Sequence, residues 1–106
     1  YDVSYVVDWA DLVWCEVMLE GDDVPVHVDP CEAVVDEPLI YQSWGKNQTF
    51  IVAFPITNQS QAVVDATFRY TTQYEASVQR RQKTHGESPE SITEALRRLN
   101  ARRKAD

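Results

Sequence analysis

Residues 49–74 constrain the fold more than any other stretch of this chain. Phe50-Ile51-Val52-Ala53-Phe54-Pro55-Ile56 is a run of apolar, β-prone residues, and Asn58-Gln59-Ser60-Gln61 follows it as a polar turn. From Ala62 to Thr72 the sequence alternates, with Val64, Ala66, Phe68 and Tyr70 on one face and Val63, Asp65, Thr67 and Arg69 on the other. Strand, turn and return strand together predict a long antiparallel hairpin.

Residues 2–20 admit two readings. Val3, Val6, Val7, Ala10, Val13, Trp14, Val17 and Met18 share one face at helical spacing, and Gly21 would cap such a helix. Against this, Asp2-Val3-Ser4-Tyr5 and Val7-Asp8-Trp9 alternate like strands, and the stretch is rich in Val, Tyr and Trp. Gly21-Asp22-Asp23 is a turn signal ahead of Val24-Pro25-Val26-His27-Val28-Asp29, so residues 12–19 are read as a strand. In the strand after the turn the valines share one face and Pro25, His27 and Asp29 the other; Pro25 implies an edge position. Leu39-Ile40-Tyr41 reads as another short strand and Ser43-Trp44-Gly45-Lys46-Asn47 as a turn.

Past Gln79 the composition changes. Arg80 to Glu87 holds no apolar residue and reads as a linker. Ser88-Pro89-Glu90 then opens a helix, with Ser at the N-cap and Pro in the first turn, and Ile92, Ala95, Leu96 and Leu99 form its apolar stripe. The expected fold is mainly β: an antiparallel sheet or small sandwich with a C-terminal amphipathic α-helix, or α+β were residues 2–20 helical. The expected organisation is an acidic β-rich domain over 1–78 and a basic linker and helix over 79–106. The hairpin resembles those of immunoglobulin-like sandwiches in outline, but the Cys–Trp–Cys pattern of that fold is absent.

Charge is segregated along the chain. Eleven carboxylates precede Lys46, the first basic residue, and from there ten basic residues face six acidic ones, for a net charge of −7. Phosphates would be repelled by such a domain, so nucleic acid is an expected partner only through the C-terminal helix. That helix carries Arg97, Arg98, Arg102, Arg103 and Lys104, a cluster suited to the negative end of the helix dipole or to an acidic protein partner. No apolar run approaches the roughly 18 residues of a membrane span.

Motifs for chemistry are sparse. Cys15 and Cys31 are a candidate disulfide, and the hairpin register decides it: centred on Asp23 the turn sets them opposite each other, centred on Asp22 it sets them diagonal. Asn47-Gln48-Thr49 and Asn58-Gln59-Ser60 are glycosylation sequons, making Asn47 and Asn58 candidate acceptors. Cysteines and sequons together point toward an extracytoplasmic or virion origin without deciding the compartment. His27 and Asp29 could supply half of a metal site, but no second His or Cys stands at ligand spacing, and no cofactor is expected. A Cys15–His27 nucleophile pair across the hairpin lacks an orienting third group. His85 lies in the polar linker.

The expectation from sequence is therefore a protein that binds and does not catalyse. It would be a structural or assembly subunit of a virus particle, appendage or membrane-associated complex, its basic helix docking on the acidic half of a neighbouring copy. The alternatives are an acidic inhibitor or immunity protein with a basic partner, and a secreted disulfide-bonded interaction domain.

Overall fold

The alternation in residues 2–18 forms two strands. The structure is a computed structural model describing residues 2–58, 60–85 and 89–105, with the main chain alone described for 82–85, 89–91, 104 and 105. Strands β1 (Asp2–Asp8), β2 (Leu12–Met18), β3 (Val26–Asp29), β4 (Val34–Val35), β5 (Ile51–Pro55) and β6 (Val64–Asp65) make one antiparallel sheet in the order β4-β3-β2-β1-β5-β6. The fold is an antiparallel sheet with a C-terminal helix, as the sequence predicts, and it is a single sheet among the described residues.

Local chemistry sets the turn between β1 and β2. Asp8 accepts the Ala10 N–H on Oδ1 at 2.8 Å and the Asp11 N–H on its carbonyl at 3.0 Å. Asp11 closes the turn at φ 71°, a left-handed geometry that Asp tolerates better than most residues.

The β2–β3 register places Glu16 opposite His27 and Cys15 opposite Val28. That is neither of the two registers considered for the cysteines, because the turn centres between Gly21 and Asp22. Cys31 falls beyond the end of β3, and both thiols are free. No disulfide forms here.

The register also assigns the two sheet faces. Val6 pairs with Trp14 and with Ala53, and Asp8 pairs with Ile51, so these residues share a face with Glu16, His27 and Asp29. This inner face carries the core of Val6, Trp14, Tyr41, Ile51, Ala53, Ala66 and Tyr70. Trp14 stacks on Tyr41 with centroids 3.9 Å apart and meets Tyr70 edge-on at 4.8 Å. Burying an aromatic side chain removes about 150–250 Å² from water, or roughly 4–6 kcal/mol of transfer free energy before entropy is counted. On β3 the valines take the other face, and the polar pair His27 and Asp29 goes inward at 2% and 3% exposure. β3 is also an interior strand between β2 and β4; Pro25 lies just outside it.

Three expected elements differ. Ile40–Ser43 is a helical turn, α1, in place of a strand, and it lays Ile40 and Tyr41 on the core. The return strand of the long hairpin is only Val64–Asp65, after which Thr67–Arg69 is a 3₁₀ turn. That turn buries Ala66 and Tyr70 and leaves Phe68 58% exposed, breaking the expected alternation. The segment read as a linker is largely helix: α2 spans Tyr74–His85. Its inward side chains include Ser77 and Arg81, so no apolar stripe announces it. Arg81 is held by Thr49 O at 2.7 Å, Asp65 Oδ2 at 2.9 Å and Thr67 Oγ1 at 3.0 Å, over the ring of Phe50.

Helix α3 spans Pro89–Ala105 and docks on its own domain. Ile92, Leu96, Asn100 and Arg103 face inward, while Ala95 and Leu99 of the expected stripe are exposed. Asn100 mimics a strand: its Oδ1 accepts the Val63 N–H at 2.8 Å and its Nδ2 donates to Val63 O at 3.0 Å.

Candidate functional site

The inner face carries a buried polar layer beside the aromatic core. Tyr41, from α1, donates its hydroxyl proton to Asp29 Oδ2 at 2.6 Å. His27 Nε2 stands 2.5 Å from the same hydroxyl, and the Glu37 N–H donates to His27 Nδ1 at 3.2 Å. An amide N–H can only donate, so Nδ1 accepts and a neutral ring carries its proton on Nε2. The chain therefore runs one way, from the Glu37 N–H through His27 and Tyr41 to Asp29. Burial pushes the His27 pKa down, against the opposing pull of Asp29, Asp36, Glu16 and Glu37. Burial and the bond to Asp29 raise the Tyr41 pKa, keeping its proton in place.

A second group stands alongside. Glu16 accepts from Arg69 Nε at 2.9 Å, from Arg69 Nη2 at 2.8 Å and from the Tyr70 hydroxyl at 2.5 Å. Arg69 and Tyr70 come from the chain after β6, so the tether ties that distant segment to β2.

Above this layer lies an exposed rim. Glu32 donates its N–H to Asp29 Oδ1 at 3.1 Å, and its carboxylate acts electrostatically on Tyr41. Trp44 meets Tyr41 edge-on at 5.4 Å and is 41% exposed. Tyr41 thus links an exposed indole to a buried carboxylate, with the Glu32 main chain held on that same carboxylate.

The residues singled out from sequence are scattered. Cys15 and His27 point to opposite faces of the sheet, since Glu16 and not Cys15 opposes His27; they cannot form a nucleophile–base pair. Both nitrogens of His27 are engaged, and no group of three or more His, Cys, Asp or Glu among the described residues could hold a metal. Arg97 and Arg98 pair with Glu94 of their own helix, Arg103 donates to Gln61 O at 2.8 Å, and Arg102 is exposed. The side chains of Lys104 and His85 lie outside the described residues. Asn47 is exposed; Asn58 is half-buried, donating to Asp2 and accepting from Ser60. Tyr41 and Trp44 stand out in the sequence only among its many aromatics, and neither they nor Glu32 are among the candidate site residues. The signal available was the short spacing from His27-Val28-Asp29 to these residues.

A family model for the Rad4 transglutaminase-like domain matches residues 10–106. The chain belongs to that family. Its relatives include proteins named peptide-N(4)-(N-acetyl-beta-glucosaminyl)asparagine amidase. The rat protein is 36% identical over 104 residues, 97% of this chain and 15% of the relative. The chicken protein is 39% identical over 82 residues, covering 76% of this chain and 12% of the relative. The Arabidopsis thaliana protein is 31% identical over 105 residues, covering 98% of this chain and 14% of the relative. The chain thus spans a small part of the length of these relatives.

These matches overturn the functional expectation. Relatives over nearly the whole chain carry the name of an enzyme, so neither the non-catalytic reading nor the structural or assembly subunit stands, and the inhibitor and secreted-domain alternatives fall with it. The physical premise failed as well, because α3 needs no neighbouring copy: Asn100 and Arg103 bind it to residues 61–63 of its own domain. No helix among the described residues is long and apolar enough to cross a membrane.

Proposed function

We propose that this chain works in removing N-linked glycans from polypeptides, as part of an amidase of the kind its relatives are named for. The observation that carries the reading is the alignment with the rat amidase over 104 residues at 36% identity. The geometry supports a substrate-holding role. Trp44, against Tyr41, offers a flat apolar surface to the C–H face of a sugar ring, and the exposed Glu32, whose N–H is held by Asp29, can accept hydroxyl donors. The layer beneath is rigid, since Tyr41 is fixed by Trp14 and Asp29 together. Hydrolysis of an amide by covalent catalysis needs a nucleophile within reach of a base. Cys15 and His27 face apart, so the part assigned to these residues is to bind and orient the substrate.

The test is incubation of the protein with a denatured N-glycosylated protein. Retention of the glycoprotein over its deglycosylated form is expected; conversion of glycosylated asparagine to aspartate, read by mass, would place the nucleophile within this chain as well. A GlcNAc-asparagine peptide should bind, and Trp44→Ala should weaken it by about tenfold or more. Binding without conversion would support the substrate-holding role assigned to the Tyr41 rim. Neither binding nor conversion would overturn the reading.

A further inference from the structure

Tyr41 and Tyr70 cover the middle of the inner face. At the far end, where β1, β2, β5 and β6 run toward Ser4, Met18 and Pro55, a cleft of about 190 Å³ remains. That is room for one side chain. Met18, Pro25, Pro55 and Val64 make apolar walls, and the Arg69–Glu16 pair lies at the floor. Asp2 and Asp23 line it as well, Asp23 from an exposed turn.

The charge at this cleft is not balanced. Among the described residues that line it, Arg69 and Glu16 neutralise each other, which leaves two carboxylates. Asp2 accepts from the side-chain amides of Asn58 and Gln61, but these are neutral and leave its charge in place. An anion would be repelled. A neutral apolar group would satisfy the walls and leave the two charges unused. The lining matches a flexible alkyl stem with a cationic tip.

We propose that this cleft binds a cationic alkyl chain, the lysine side chain of a polypeptide being the form that fits its size. The site is separate from the Tyr41 rim, and its test needs no glycan, so it does not depend on the amidase reading.

Nuclear magnetic resonance titration of the protein decides it. Three probes are used: N-acetyl-lysine N-methylamide, its norleucine counterpart, and cadaverine. The lysine compound should give saturable shifts confined to Ser4, Met18, Val64 and their neighbours, with a Kd on the order of 1–10 mM. Norleucine, which lacks the charge, should give no saturable shift there. Asp23→Asn, on an exposed turn, should weaken lysine binding by about tenfold, and added salt should weaken it further. Cadaverine binding as tightly as the lysine compound assigns the cleft to free amines; weaker binding assigns it to a peptide side chain. Equal binding of norleucine, shifts spread over other faces, or no saturation at about 50 mM lysine compound would overturn the proposal.

Discussion

Arg69 donates twice to Glu16, at 2.9 and 2.8 Å, and so joins the basic second half of the chain to the acidic first half. The Glu16 side chain is almost wholly buried, at 3% exposure, and the Arg69 side chain is 19% exposed. Removing one member of such a pair leaves a buried charge without its counterion. Arg69→Met should therefore lose about 3 kcal/mol of stability, and Arg69→Met combined with Glu16→Gln should recover much of it. Urea unfolding of the two variants beside the parent checks this; equal midpoints for the single and double variants would show that the pair is not coupled.

Burial holds the His27 pKa below its ordinary value, so the native state favours the neutral ring. The unfolded ring titrates near 6.5. Below that pH the unfolded state binds a proton that the native state resists, so the contribution of His27 to stability is complete above about pH 6.5 and falls as the pH drops toward the native value. A proton added to Nδ1 would also face the Glu37 N–H. His27→Gln should flatten stability between about pH 5 and 7. Asp8 works in the opposite sense, because burial raises its pKa and acid then favours the folded form.

Asn100 is the main polar tether of α3 to the sheet edge. Asn100→Ala breaks both bonds to Val63 and leaves a part-buried N–H and C=O without those partners. A loss of about 1–3 kcal/mol is expected, with faster hydrogen exchange at the Val63 amide. Unchanged exchange there would mean that Ile92 and Leu96 hold the helix without it.

Both thiols are free, and they differ in access. Cys31 is exposed, whereas Cys15 is half-buried on the sheet with its pKa raised by burial and by Asp29. A thiol reagent should modify Cys31 first and Cys15 more slowly, with two labels added in the absence of reductant. Intact mass against time reads both rates.

The sheet was legible in the sequence where a turn chemistry enforced it. Gly21-Asp22-Asp23 marked the β2–β3 hairpin, and the alternation of residues 2–8 beat its competing helical period. Two things were not legible. Which face of β3 turns inward is settled by partners from elsewhere in the chain: His27 and Asp29 go in because Tyr41 and the Glu37 amide satisfy them there, and valines at 26 and 28 give the opposite signal. Helix α2 was hidden because its inward positions are Ser77 and Arg81, and a buried arginine reads as solvent-facing until Asp65 and Thr49 are seen beside it. The site was hidden for a related reason, since Leu39-Ile40-Tyr41 reads as a short strand and only the helical turn α1 brings the Tyr41 hydroxyl onto Asp29.

The direction of the chain through His27 is written by a peptide unit, not by a titrating group. Asp36 sits at φ 57°, and that turn aims the next N–H, from Glu37, at the imidazole. Were the 36–37 peptide to rotate and present its carbonyl instead, the ring would have to carry its proton on Nδ1. Tyr41 would then donate to the imidazole, and Asp29 would lose the hydrogen it now receives. A backbone torsion more than a full strand away thus acts as a selector for what the Asp29 carboxylate can accept, without any change of pH or any bound ion.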